Sequence, residues 1–146
     1  MDRLTADGIS WTPSRRVFLR RVGITAVLTF LGLSAIIFAY SFYFTLPDVW
    51  IFPSAGVLTL GFVIEDLLRW RNLRNDLWQI SEGQLIYDGP DGRAQIPLGE
   101  IDSAKVQFGT RVVVKLASGQ RILMRYLPYA ADTADQIDAA RGPRRP

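Results

Sequence analysis

The fold is decided by residues 22–46, which read VGITAVLTFLGLSAIIFAYSFYFTL. This run of twenty-five residues contains no charged side chain and is dense in aliphatic and aromatic residues. As a helix it would extend about 37 Å, which is enough to cross a hydrocarbon layer of about 30 Å with some tilt. The run therefore predicts a first transmembrane helix.

A second uncharged run, residues 49–64, follows after only Pro47 and Asp48. As a helix this run spans about 24 Å, so it needs the next turn, residues 65–68, to reach across the membrane. We expect residues 22–68 to form a transmembrane helical hairpin with a very short connection. Both chain ends then lie on the same side of the membrane.

Two acidic residues at the end of the second run, Glu65 and Asp66, need an explanation. A carboxylate in mid-membrane would cost about 3 kcal/mol and would mark a functional site. Glu65, however, precedes Arg69 by four residues at the inner end of the span. This spacing predicts an ion pair on the helix surface.

The basic residues lie beside the free ends of the predicted hairpin. Residues 1–21 contain five Arg and two Asp, residues 69–75 contain three Arg and no acid, and the connection contains Asp48 and no base. Because basic flanking segments stay in the cytoplasm, we expect both termini there, with a basic N-terminal segment at 1–21 and a basic juxtamembrane turn at 69–75. The residues expected at the interface, in contact with anionic lipid, are Arg15, Arg16, Arg20, Arg21, Arg69, Trp70, Arg71 and Arg74.

Residues 14–20, SRRVFLR, favour an alternative. Paired arginines followed by Phe-Leu and another base resemble a twin-arginine export signal, which would place the following domain outside the cell after cleavage near residues 39–41. Against export, the apolar run is longer than the roughly 7–15 residues of a signal core. Residues 1–13 have no periodicity and predict a mobile or interfacial lead-in, with Trp11 suited to the headgroup level.

The periodicity changes from helical to alternating at Asp76, which predicts a small β domain. Gly-containing turn signals separate its segments, and Pro128 opens an amphipathic helix that ends near Arg141 and is followed by a tail, residues 142–146. The predicted strands are residues 77–80, 84–88, 93–97, 103–108, 111–116 and 120–126.

The last hairpin permits a prediction of register. If Leu116 opposes Gln120 across a three-residue loop, alternate residues of 112–116 and 122–126, ending at Tyr126, share the buried face. Lys115 then opposes Arg121 and Arg111 opposes Arg125, which costs up to about 1 kcal/mol for each pair. An acid is expected over this face: Glu100 or Asp102 of the chain, a partner, or lipid phosphate. The alternative is an ordinary solvated face. The candidate partner face comprises Lys105, Arg111, Lys115, Arg121 and Arg125.

The order of these segments resembles bacterial pleckstrin-homology-like (PH-like) domains, which often follow paired membrane spans. The resemblance is carried by WQISEGQLIYD at residues 78–88, the turn after it, IPLGEI at 96–101, and the closing helix, and it covers residues 76–141. It implies a bent antiparallel sheet or partly closed barrel capped by the helix and used for binding. The segment is short for a seven-stranded barrel, so a strand would be absent or supplied by a partner. It also lacks the lysine-rich first hairpin with which eukaryotic relatives bind phosphoinositides.

We therefore expect an α+β membrane protein: a transmembrane hairpin followed by a small antiparallel PH-like domain with a C-terminal helix. The chain contains no Cys and no His, which excludes thiol and imidazole chemistry and the usual zinc sites. No pattern predicts a catalytic, cofactor or metal site, so we expect no enzyme and no cofactor. Mild basicity with aromatic residues at predicted core positions argues against nucleic acid.

Three functions remain open. The first is a scaffold or assembly factor of an inner-membrane complex, with a membrane-protein partner. The second is a membrane-surface sensor of anionic lipid. The third is a protein exported by the twin-arginine route. No sequence pattern defines an oligomeric state.

Overall fold

The computed structural model of the chain describes residues 8–45 and 47–143. These residues form two compact units, residues 18–71 and residues 8–17 with 72–143, which we call the helical hairpin and the β unit. The predicted α+β class is confirmed: two long apolar helices are followed by six strands, which together with one strand before the helices form two antiparallel sheets, and by a C-terminal helix. The elements are β1 (Ile9–Trp11), α1 (Arg15–Phe44), α2 (Ile51–Leu73), β2 (Leu77–Ser81), β3 (Gln84–Gly89), β4 (Gly92–Pro97), β5 (Ile101–Gln107), β6 (Arg111–Leu116), β7 (Arg121–Met124) and α3 (Ala130–Arg141).

Both helices of the hairpin extend beyond their uncharged runs. Helix α1 begins at Arg15, so the four predicted anchor arginines are helical. Helix α2 continues to Leu73, and the predicted turn at residues 69–75 is wrong for residues 69–73. The reason is local: residues 65–73 contain neither Gly nor Pro, and Leu and Arg are good helix formers. The helix stops only at the two-residue turn formed by Arg74 and Asn75.

The two helices of the hairpin run antiparallel. The rings of Phe18 and Trp70 stack with centroids 4.4 Å apart near the free ends, and those of Phe30 and Phe52 lie 6.3 Å apart nearer the connection. Trp70, which we predicted as a lipid contact, therefore directs one ring face at its neighbouring helix. The predicted ion pair between Arg69 and Glu65 is confirmed, with a distance of 2.9 Å between Nη2 and Oε1.

The outer surface of the hairpin is apolar. Both helices are long and apolar enough to cross a membrane, and little of either is buried within the protein. A core helix of a soluble domain would instead be mostly covered by its own chain. Contiguous apolar surface of this extent is typical of a contact with a membrane or with a protein partner. Exposed members include Leu28, Ile36, Phe38, Val57, Leu60 and Phe62.

The lead-in before α1 is part of the β unit, and our prediction of a mobile or interfacial segment is wrong for residues 9–11. They form β1, which pairs antiparallel with β2 and places Trp11 opposite Trp78. Trp11 is buried in the core, and its indole N–H donates to Oε1 of Gln136 at 3.1 Å. Three residues are too short for a period to show in sequence, and the partner strand lies beyond the whole hairpin.

The β unit contains a four-stranded sheet in the order β1-β2-β3-β4 and a three-stranded sheet in the order β5-β6-β7. Helix α3 packs on the second sheet through its buried side, as its periodicity predicts. The six strands predicted from the sequence are thus joined by a seventh, β1, which comes from before the hairpin. One core joins both sheets and α3, and its most deeply buried residues are Leu85, Val112, Val114, Met124, Leu127 and Ile137.

The predicted register of the last hairpin is confirmed up to its final residues. Lys115 opposes Arg121, and the amide of Leu116 donates to the carbonyl of Gln120 at 2.9 Å across the three-residue loop. The prediction that Tyr126 continues the buried face is wrong. Its φ of 58° breaks the alternation, and Leu127 takes the core position instead.

Candidate functional site

The outer face of the three-stranded sheet collects most of the candidate partner residues. The register gives three rows across the strands, and because side chains alternate, the outward residues of each row are neighbours. We call this surface the basic face. Its rows are Ser103, Lys115 and Arg121; Lys105, Val113 and Leu123; and Gln107 and Arg111.

The first row contains the predicted like-charge pair. Lys115 and Arg121 are directly opposite and both are exposed. Asp102 lies beside them, with its Oδ2 3.6 Å from Nζ of Lys115. The expectation that an acid of the chain would approach this face is therefore correct for Asp102. One carboxylate, paired with Lys115, against two bases leaves this end of the face positive, which suits an acidic ligand.

The second predicted like-charge pair is not formed. Strand β7 ends at Met124, so Arg125 lies beyond the last paired residue and does not extend the row of Arg111. The Arg111 guanidinium instead lies over the ring of Phe108, with Cζ 5.8 Å from the ring centroid. We predicted Phe108 as a strand residue, but it is in the turn between β5 and β6.

The middle row adds apolar surface that the sequence analysis missed. Val113 is half-buried and Leu123 is 41% exposed, and both lie in the row of Lys105, next to the row of Lys115 and Arg121. Strict alternation along 111–116 and 121–124 could have revealed them, because both occupy outward positions in the predicted register. An apolar centre with a basic rim is typical of a binding surface.

The arginines of the hairpin are placed at its free ends. Arg15, Arg16 and Arg20 are exposed in the first two turns of α1, whose first turn contains no acidic residue. Positive side chains at the N-terminus of a helix are repelled by the positive end of the helix dipole. A nearby anion such as a phosphate would therefore stabilise these arginines. Arg69 and Arg71 are exposed near the end of α2, and Arg74 is exposed just after it.

A second polar group of the β unit lies where α2 leads into β2. The Tyr87 hydroxyl donates to Oδ1 of Asp76 at 2.9 Å. Desolvation by burial raises the pKa of the Asp76 carboxyl, and the charge of Asp91 raises it further, although the hydrogen bond from Tyr87 lowers it. Burial, the hydrogen bond and the charge of Asp76 raise the pKa of Tyr87 to about 12. This hydrogen bond joins the segment before β2 to strand β3.

Within residues 8–45 and 47–143, no three His, Cys, Asp or Glu side chains form a cluster that would hold a metal ion. The arrangement of the basic face suits binding of an acidic surface. Comparison with protein-family models, with curated proteins and with solved structures finds no match for this chain.

Proposed function

We propose that the protein is a non-enzymatic, membrane-anchored binding protein of the bacterial inner membrane, and that it acts as an accessory or assembly factor of a membrane-protein complex. In this proposal α1 and α2 span the membrane, and the β unit is a PH-like domain in the cytoplasm. The single observation that carries the binding role is the basic face, where Val113 and Leu123 lie among Lys105, Lys115 and Arg121.

The membrane-spanning part of the proposal is supported by the exposed apolar surface of both helices. Orientation is supported by charge, since arginines flank the free ends and the connection carries Asp48. The pairing of β1 with β2 fits a hairpin that crosses twice, because strands from before and after it must lie on the same side of the membrane.

The same pairing argues against cleavage after export. Cutting the chain near residues 39–41 would separate β1 from its partner strand and remove Trp11 from the core of the β unit. A cleaved form would therefore lose the burial of the Trp11 side chain and the hydrogen bonds of β1 to β2. An uncleaved anchor is the arrangement that keeps this core intact.

The PH-like assignment is supported by sheet order. A four-stranded and a three-stranded antiparallel sheet followed by a C-terminal helix are compatible with the helix-capped sheet that the resemblance implies. Such a scaffold presents a sheet face or a loop to a partner. The basic face has the positive charge and apolar centre that an acidic protein surface would complement.

The test is purification of the tagged full-length protein in mild detergent, with mass spectrometry of co-eluting proteins. We expect a stoichiometric partner that is lost with Arg121→Glu and retained with Arg93→Glu, a matched reversal at an exposed position of β4 in the other sheet. Arg121→Glu replaces the base opposite Lys115 by an acid, so it stabilises the hairpin by up to about 1 kcal/mol. Loss of binding is then not a result of unfolding. Equal capture by both variants would show that the basic face is not the docking surface.

A further inference from the structure

The turn between β5 and β6 carries a large aromatic side chain that does not contribute to the core. Phe108 is 76% exposed, and Val106 at the end of β5 is 40% exposed. Within the described part of the β unit, Phe108 is the most exposed of the large apolar side chains. The two residues give this end of the sheet an apolar tip.

The backbone of the turn is unfavourable for this residue. Phe108 has a φ of 52°, and the next residue, Gly109, has a φ of 71°. A side chain with a Cβ pays about 1–2 kcal/mol in the left-handed region, whereas Gly takes it freely and Asn takes it readily. A sequence selected only to make this turn would place Gly or Asn there. Phe108 neither eases the turn nor fills the core, and a bulky residue held in this conformation suggests a function for its exposed ring.

Basic side chains flank this aromatic residue. The Arg111 guanidinium lies 5.8 Å from the ring centroid, a cation–π contact that places a positive charge beside the ring. Lys105 is exposed on the same outer face, in the adjacent row. The carboxylate of the face, Asp102, contacts Lys115, which is about 13 Å along β6 from Arg111. Positive charge and an exposed aromatic ring therefore coincide at one tip.

We propose that this tip docks on the surface of an anionic lipid bilayer, with Phe108 between the headgroups and Lys105 and Arg111 bound to lipid phosphate. An aromatic ring with adjacent bases matches the chemistry of the membrane interface. A single turn is much smaller than the roughly 800 Å² per partner of a stable protein interface. Insertion into lipid, in contrast, needs only one apolar side chain and a few phosphate contacts.

This inference rests on the membrane anchoring proposed above. The tip shares Lys105 and Arg111 with the basic face, so its test is carried out without a protein partner. Because the chain has no native cysteine, single cysteines can be labelled without background. The full-length protein is reconstituted in nanodiscs of phosphatidylcholine, with or without phosphatidylglycerol and with lipids that carry a quencher. An environment-sensitive fluorophore is attached at Phe108→Cys, at Asp91→Cys in the turn between β3 and β4, or at Leu28→Cys in the middle of α1.

With phosphatidylglycerol present, we expect lipid quenching and a shift to shorter wavelength at position 108, and neither effect at position 91. Replacing Arg111 by Gln should reduce the ratio of docked to undocked label about fivefold, which corresponds to about 1 kcal/mol for one interfacial charge. Quenching at position 28 without quenching at 108 would overturn the docking and leave the anchor intact. Absence of quenching at both positions would overturn both proposals. Equal quenching at 108 in phosphatidylcholine alone would overturn the role of the net negative charge of the headgroups.

Discussion

Replacement of Trp11 tests the most unexpected feature of the fold, the strand that precedes the hairpin. Trp11 is 9% exposed, so Trp11→Ala removes most of the burial of a side chain that typically covers 150–250 Å². At about 25 cal/mol per Å² this gives an upper estimate of roughly 4–6 kcal/mol. Measured aromatic-to-alanine changes in protein cores cost about 3–5 kcal/mol, and we expect a loss in that range. The loss includes the hydrogen bond to Gln136.

The assay is hydrogen exchange of the β2 and β3 amides in the full-length protein in detergent, which gives the free energy of opening of the β unit. Trp11→Phe keeps much of the apolar area and loses the hydrogen bond, so it should cost about 1–2 kcal/mol. The matched control is Trp50→Ala, because Trp50 is 65% exposed in the connection of the hairpin and should leave these amides unchanged. A loss below about 1 kcal/mol for Trp11→Ala, or a loss equal to that of the control, would refute the assignment of β1 to the core.

Four further outcomes concern the polar groups of the β unit. A Cβ at Gly89 would overlap the Tyr87 hydroxyl, so Gly89→Ala should break the hydrogen bond from Tyr87 to Asp76 and lower the free energy of unfolding by about 1 kcal/mol. The loss of this bond should also lower the pKa of Tyr87, measured by absorbance titration, and an unchanged pKa would contradict this. The folded-state pKa of Asp76 is raised above 3.8, so its contribution to stability is complete below pH 3.8 and is lost as the pH rises through the raised value. Asp76→Asn keeps an oxygen that accepts the hydrogen bond from Tyr87. As the pH rises from 3.8 towards neutrality, the free energy of unfolding of this variant should increase relative to that of the wild type, and a pH-independent difference would rule this out. Because the pKa of Tyr87 is raised from 10 to about 12, the contribution of its hydroxyl to the stability of the β unit is complete below pH 10. In urea unfolding, the difference in free energy of unfolding between wild type and Tyr87→Phe should therefore fall as the pH rises through 12. Arg121→Glu should raise the urea midpoint of the β unit through its new pair with Lys115, and a lowered midpoint would show that the like charges are already compensated.

Much of the fold could be predicted because its signals are local. Two uncharged runs predict two long helices, and the alternating pattern with Gly turns predicts β2 to β7 in the right order. Glycine at position 119, with a φ of 86°, makes the three-residue loop that fixes the register of the last hairpin. Each of these features depends on residues that are close together in sequence.

The features that sequence reasoning missed depend on distant contacts. Strand β1 has three residues, and its meaning comes from pairing with a strand more than sixty positions away. Tyr126 leaves the alternation through a backbone angle that no local pattern predicts. Phe108 and Tyr129 are exposed, although the argument against nucleic acid assumed that the aromatic residues of the domain lie in its core. The candidate site differs from the site predicted from the sequence for the same reason, since the exposure of Phe108 depends on where β5 ends.

The central claim is that α1 and α2 cross the membrane twice and keep the β unit in the cytoplasm. The most direct measurement is labelling of single cysteines in intact cells with a membrane-impermeant maleimide, at Val49→Cys in the connection and at Asp91→Cys in the β unit. We expect labelling at position 49 in intact cells and labelling at position 91 only after the membrane is opened. Labelling of position 91 in intact cells would contradict it.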